Sequence, residues 1–219
     1  MKYGLPIKLE LPDGFLDPEI RCGYQVTGEH KRIWAVELDL LAELLRVCSK
    51  HNINVQVYAG TLLGAVRHGG FIPWDDDLDV CMTYDDYSHL CKIADKEFKF
   101  PYFFQNGITD NHYFFGFARL RNSLTTGAVK GFEAYNYNNG IFIDINILNT
   151  YPTMVWLDRI KFIVLRIVSR LIKERVTIDW SFGRTSVSFI LFFGLFSLIL
   201  HRNEKESYQS EGRLRHLCG

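Results

Sequence analysis

The sequence predicts an α+β protein built on a mixed β-sheet flanked by helices. Three observations carry that prediction. Trp34, Leu38, Leu41, Leu45 and Cys48 recur at steps of three and four, the spacing of an amphipathic helix. Ile53, Val55 and Val57 alternate with polar residues, and so do the isoleucines of GIFIDINIL over 140–148, the spacing of half-buried strands. Helical and strand signals are interleaved along the chain rather than segregated, which suits a mixed sheet with helices packed on it.

In chain order, residues 1–30 contain Pro6, Pro12 and Pro18 with interspersed glycines and read as an irregular arm. A helix is expected over 31–51 and a strand over 53–57. Gly60 and Thr61 break that strand, and a short helical turn follows over 62–67, ended by Gly69 and Gly70. A second strand is expected over 78–82. Thr83 and Asp86 form a capping-box pattern opening a helix to about Phe98, with Leu90, Ile93 and Ala94 inward. Strands are expected over 113–120 and 141–148, and a long helix over 153–175. Beyond Asp179 come a Phe-rich apolar run and a polar tail. The organisation is thus an arm over 1–30, a core over 31–152 and a helical C-terminal region over 153–219.

Composition narrows the function classes. Lys plus Arg and Asp plus Glu both number 25, so the net charge is zero, which argues against a dedicated nucleic-acid binder. The five cysteines form no CxxC pair and read as free thiols in a reducing compartment. The first residues lack the apolar run of a signal peptide. The apolar stretch 187–200 is shorter than the ~20 residues a membrane-crossing helix requires. A cytoplasmic protein is expected. The helix over 153–175 is basic on one edge (Arg159, Lys161, Arg166, Arg170, Lys173, Arg175) and apolar on another, a pattern compatible with contact at the inner face of a membrane.

The chemistry concentrates in the segment 58–80. Asp75, Asp76, Asp77 and Asp79 crowd together between Trp74 and Val80. Crowded carboxylates repel, and a divalent cation is the usual compensation; Mg²⁺ takes carboxylate oxygens, waters and substrate phosphates. On a strand, Asp77 and Asp79 share a face while Leu78 and Val80 enter the core. In the later strand Ile141, Ile143, Ile145 and Ile147 line one face and Phe142, Asp144 and Asn146 the other. If the two strands are neighbours, Asp144 completes a three-carboxylate centre; the alternative is a hydrogen-bonded structural acid. The 1, 3, 5 spacing of Asp75, Asp77 and Asp79 also fits a calcium loop, but Val80 stands where such a loop needs glycine. Gly60 and Thr61, at the start of a helical turn, suit the close approach of a phosphate. Trp74 reads first as a packing residue, with stacking on a base or on a ligand's cationic methyl groups as the alternative.

A Gly-Thr followed 16 residues later by Asp-x-Asp looks like the nucleotidyltransferase fold. The run GTLLGAVRHGGFIPWDDDLDV closely resembles the LicD family of phosphotransferases, whose relatives include the fukutin-type enzymes. FARLRNSLTT over 117–126 is similar to the family's Arg-containing strand, and GIFIDINIL to its third-acid strand. The resemblance covers 31–152. It implies transfer of a phosphorylated alcohol, typically phosphocholine from CDP-choline, onto a sugar of a surface glycan such as lipopolysaccharide or teichoic acid, with Mg²⁺ or Mn²⁺ as the cofactor. The acceptor glycan is expected to be lipid-linked if the enzyme works at the membrane. Carried over residue by residue, Asp77, Asp79 and Asp144 are the catalytic acids and, with Asp75, the metal ligands. Gly60, Thr61, Arg67, His68, Arg119 and Arg121 are the substrate contacts. The sequence departs from the family at 147–149, where a Pro-Leu-Asp type segment is usual, and it lacks a Tyr-Gly-Asp-Tyr-like block, so the C-terminal region reads as divergent or truncated. Two rival readings are a nucleotidyltransferase that attaches the nucleotide and an inactive membrane-surface or partner-binding module.

Overall fold

The computed structural model describes residues 2–128 and 137–148, together with Ile163, Val164, Arg166 and Ile167. The chain divides into two compact units, Met1–Leu148 and Asn149–Gly219. In the second unit the four described residues are helical and exposed. The rest of the helix expected over 153–175, the apolar run and the polar tail lie outside the described residues.

The first unit opens with a 3-10 turn at Lys2–Gly4 and a hairpin of β1 (Glu19–Arg21) and β2 (Tyr24–Val26). The hairpin turns on Cys22 and Gly23, both at positive φ (52° and 77°), the backbone of a two-residue type I′ turn. Residues 1–30 are therefore not the irregular arm read from their prolines. Leu5, Ile7 and Leu11 are buried in the core. The carboxylate of Asp39 accepts the backbone N–H of Lys8 and of Leu9, each at 2.8 Å, and the Tyr102 hydroxyl at 2.8 Å. Those bonds fasten the segment to the helix behind it.

That helix, α1, spans Gly28–Lys50. It starts earlier than the apolar stripe suggests because the Thr27 side chain accepts the His30 N–H and caps its first turn. Its buried face also differs in phase from the stripe. Val36, Leu40, Leu44 and Val47 are enclosed with Trp34 and Cys48, whereas Leu45 is exposed.

The main sheet follows from β3 (Gln56–Val57), β4 (Asp79–Thr83), β5 (Tyr102–Gln105), β6 (Ala118–Asn122) and β7 (Ile141–Leu148). Helix α2 (Ala59–His68) joins β3 to β4, and α3 (Tyr84–Glu97) follows β4. The strand order is β3-β4-β7-β6-β5; β4 and β7 are parallel and every other pairing is antiparallel. The sheet is mixed, as expected. β7 is inserted between β4 and β6, with Ile143 and Ile145 fully buried. The strand expected over 113–120 begins only at Ala118, and residues 113–117 form an aromatic loop before it. The capping box of α3 forms in part: the Thr83 hydroxyl accepts the Asp86 N–H, while the Asp86 carboxylate accepts the Thr83 hydroxyl and the Asn54 N–H.

Candidate active site

The sheet aligns three charged residues in one row. Asp79 of β4 stands opposite Asp144 of β7, and Asp144 stands opposite Arg119 of β6. Neighbouring strands lie about 4.8 Å apart, so the row brings two carboxylates and a guanidinium onto one face at the head of β4. The condition set by the sequence, that 141–148 neighbour 78–82, is met. Asp77 falls in the loop just before β4, one step earlier than the strand expected from the sequence, while Leu78 and Val80 turn into the core.

Each acid has a distinct hold. Asp75 is fixed through its backbone: its carbonyl lies 2.9 Å from His30 Nε2 and accepts the Trp34 indole N–H at 2.9 Å. The stacking of Phe71 on Trp34, with ring centroids 4.7 Å apart, anchors the same loop to α1. The Asp79 N–H donates to Thr61 Oγ1 at 2.8 Å, and its Oδ1 accepts Asn146 Nδ2 at 3.1 Å. Asp144 Oδ1 accepts Arg119 Nε at 2.6 Å.

The electrostatics are those of a crowded anionic centre. Loss of solvent first, then the charges of Asp75 and Asp79, push the Asp77 carboxyl up to about 6, although part of the residue stays open to water. Burial and then Asp144 raise Asp79, against the hydrogen bond from Asn146. Burial raises Asp144, with Arg119 pulling the other way.

The start of α2 lies against this centre. A Cβ on Gly60 would stand 3.0 Å from Asp75 Oδ2, so a side chain there would crowd the acids. Ala59, one step before, is held at φ 46°, a left-handed backbone that L-residues occupy at a cost of about 1–2 kcal/mol. Gly69 at φ 66° ends the helix where the glycine pair predicted an end.

The expected substrate contacts divide. Arg119 is nearly enclosed, its guanidinium 3.8 Å from the centroid of the Phe142 ring with Phe115 and Phe117 near by. Its Nη1 is buried and makes no hydrogen bond. Arg121 corrects the expectation made for it. It is 1% exposed, donates to Gln105 Oε1 and to the Gly140 carbonyl, and stacks on Phe142, so its donors serve the sheet rather than an incoming ligand. Arg67 is exposed on the last turn of α2. His68 contacts Cys22, at 3.5 Å between Nδ1 and Sγ, and the edge of Trp74. Neither is joined to the acids among the described residues. Trp74 is 56% exposed, which overturns its reading as a packing residue.

Sequence reasoning missed two members of the site. Asn146 steadies Asp79; the alternation in GIFIDINIL had already put it on the Asp144 face. Glu37 of α1 is 2% exposed, its Oε2 has no hydrogen-bond partner, and burial followed by the charges of Asp77, Asp76, Asp75 and Asp144 pushes its carboxyl up to about 10. No sequence signal separates it from the other acids of α1.

Among the described residues, no three acidic, histidine or cysteine side chains converge as a ready-made metal cage. One oxygen of Asp144 is bound to Arg119, and mutual repulsion opposes closer approach of the others. The donor set nonetheless suits a hard cation, since all its candidates are carboxylate oxygens. Two buried atoms of residues that interact electrostatically with these acids lack a hydrogen-bond partner: an acceptor, Glu37 Oε2, and a donor, Arg119 Nη1.

Residues 52–161 match the sequence model of a family described as LicD/FKTN/FKRP, nucleotidyltransferase domain. The chain is 43% identical over 56 residues to the lipopolysaccharide cholinephosphotransferase LicD of Haemophilus influenzae, covering 26% of this chain and 21% of that protein. It is 32% identical over 137 residues to the uncharacterized protein RP689 of Rickettsia prowazekii, covering 62% of this chain and 46% of the relative. Over 73 residues it is 40% identical to the uncharacterized protein RT0683 of Rickettsia typhi, covering 33% and 22%. The matched segments thus span from about a fifth to about half of the length of these relatives.

Proposed function

The chain belongs to the LicD/FKTN/FKRP nucleotidyltransferase-domain family, and on that premise we propose that it transfers a phosphorylated alcohol from a CDP-alcohol to a sugar hydroxyl of a cell-surface glycan, with Mg²⁺ or Mn²⁺ as cofactor. Phosphocholine from CDP-choline is the first donor to consider, because the similar protein of Haemophilus influenzae carries cholinephosphotransferase in its name. The acceptor we propose is a glycan such as lipopolysaccharide or teichoic acid, lipid-linked and met at the inner face of the membrane.

The observation that carries the reading is the row Asp79–Asp144–Arg119 with Asp77 beside it. Acids are needed to hold a cation, and an Arg with an unmet donor suits a phosphate. Asp79, Asp144 and Arg119 stand on one face of the sheet. Asp77 and Asp79 are the residues that hold the ion, assisted by Asp75 and Asp144. Mg²⁺ commonly takes only one or two protein carboxylates and completes its shell with waters and phosphates, so a full protein cage is not required. When bound, the ion supplies Lewis-acid neutralisation of the donor's diphosphate.

The remaining work belongs to the chain. Arg119 donates from Nη1 to a phosphate oxygen while its Nε stays on Asp144. Thr61, whose oxygen already accepts the Asp79 N–H, retains a hydroxyl proton to donate to a phosphate. Gly60 leaves room for that approach. The acceptor hydroxyl attacks the phosphorus that bears the alcohol, the bond to the CMP oxygen breaks, and CMP leaves with its electron pair. Asp144, whose carboxyl is raised by burial against the pull of Arg119, takes the acceptor's proton.

The test is incubation of the full chain with Mg²⁺, a glycan acceptor and a panel of CDP-alcohols, scored for CMP. We expect metal-dependent CMP release, abolished in the double variant Asp77→Asn, Asp79→Asn. Turnover retained in that variant contradicts the assignment, and release of pyrophosphate from a nucleoside triphosphate instead marks nucleotide attachment.

A further inference from the structure

Tyr113 opens the aromatic loop before β6, and its ring is wedged in place. It packs on Phe115 with centroids 5.2 Å apart and meets the Tyr137 ring edge-on at 6.1 Å. Its backbone N–H donates to the Asp110 carbonyl at 3.0 Å. The residue is 1% exposed, and its hydroxyl makes no hydrogen bond. Burial pushes that hydroxyl well above its ordinary range, so it keeps its proton at neutral pH and can donate it.

Another unmet donor stands beside it. The Arg119 guanidinium carbon lies 5.9 Å from the centroid of the Tyr113 ring, and its buried Nη1 is likewise unbonded. The charge around the two is unbalanced. Arg119 and Arg121 both lie over the Phe142 ring, at 3.8 Å and 4.6 Å from its centroid. Among the described residues, Asp144 alone pairs with either guanidinium. Arg121 donates to neutral acceptors, the Gln105 amide oxygen and the Gly140 carbonyl. Buried donors are bonded in the great majority of native structures, so two unmet ones next to a surplus cation call for an anionic acceptor. Tyr102 shows the ordinary case: it is also buried, and its hydroxyl donates to the Asp39 carboxylate at 2.8 Å. That hydroxyl holds structure, whereas no contact within the fold uses the hydroxyl of Tyr113.

We propose that Tyr113 is a substrate-binding residue whose hydroxyl, together with Arg119 Nη1, donates to the oxygens of the donor's diphosphate. Arg119 supplies charge, and the wedged phenol supplies direction. The inference rests on the phosphotransfer reading of the site and adds to it a residue from the loop before β6. Both donors are enclosed, so the half-buried rings of Phe115 and Phe117 part as the phosphate enters. Gly116 between them is exposed, with open space around it.

The test uses the full chain and two probes: CDP with Mg²⁺, and cytidine, which lacks the phosphates. Binding is followed by isothermal titration calorimetry and stability by the Tm without ligand. Tyr113→Phe removes one oxygen and keeps the ring. We expect its CDP affinity to fall about 10- to 100-fold, the worth of one hydrogen bond to a charged group. Cytidine affinity should not change. The Tm should be unchanged or higher, because a buried hydroxyl without a partner is removed. Unchanged CDP affinity overturns the inference, and so does an equal loss for cytidine, which would put the hydroxyl away from the phosphates. A lower Tm, or failure of Tyr113→Phe to fold, would show that the hydroxyl holds the fold and overturns it as well. Failure of the unaltered chain to bind CDP sinks the phosphotransfer reading itself, and this inference with it.

Discussion

Asp77 carries the clearest consequence of crowding like charges. Its carboxyl is raised from 3.8 to about 6 by partial loss of solvent and by Asp75 and Asp79. A raised carboxyl binds its proton more tightly in the folded state than in the unfolded chain. Its contribution to stability is therefore complete below about pH 4 and is lost as pH rises through about 6. Metal-free protein should lose urea stability across that window, and Asp77→Asn should lose less. Millimolar Mg²⁺ should restore the loss above pH 6 in the unaltered chain only. Identical pH profiles for the two proteins would contradict the repulsion. At this scale the crowding of Asp75, Asp77 and Asp79 and the face that carries Asp144 were legible from residue type and alternation, whereas Arg119 was reached only through the family resemblance. Arg121 was not separable from Arg119, because both occupy the same face of one strand. What distinguishes them is tertiary: Gln105 and Gly140 close over one and leave the other with an unmet donor. Glu37 was illegible for a related reason, since α1 is apolar around more than one stripe and its buried phase comes from the sheet it packs on.

Among the elements, α1 governs how well the acid loop is placed. Its indole–carbonyl bond from Trp34 to Asp75 and its stacking on Phe71 link helix to loop. Trp34→Phe keeps most of the ring burial and deletes the donor. It should cost about 1 kcal/mol in urea unfolding, the worth of one neutral hydrogen bond. It should also weaken Mn²⁺ binding by several-fold, since Asp75 loses a restraint. A variant with unaltered stability and unaltered Mn²⁺ affinity would show that α1 does not position the loop. Element boundaries were partly legible. The start of α1 was misjudged because Thr27 was read as part of an arm, though Thr is a strong N-cap. The late start of β6 was hidden by the aromatic run 113–117, which has strand-forming composition but instead surrounds the Arg119 guanidinium. β5, only four residues long, gave too short an alternation to be seen.

For the unit Met1–Leu148 as a whole, the decisive feature is the parallel pairing of β4 with β7, two strands separated by α3, β5 and β6 in the chain. Composition and periodicity predicted both strands and their inward faces. The register that sets Asp79 beside Asp144 is long-range and is not written in either strand alone. Among the described residues no helix is long and apolar enough to cross a membrane. Of the segment 153–175 only Ile163, Val164, Arg166 and Ile167 are described, so the expected membrane contact through its basic edge lies mostly outside the described residues. The proposed function requires one cation held where β4 and β7 run side by side. Anomalous scattering at the manganese edge, from crystals of the full chain grown with Mn²⁺ and CDP-choline, locates that ion directly. We expect a peak within ligand distance (about 2.2 Å, as for hard divalent ions) of Asp77 and Asp79, with the donor's phosphates on its far side. A peak elsewhere, or an ordered CDP-choline with no manganese between it and those two aspartates, would contradict it.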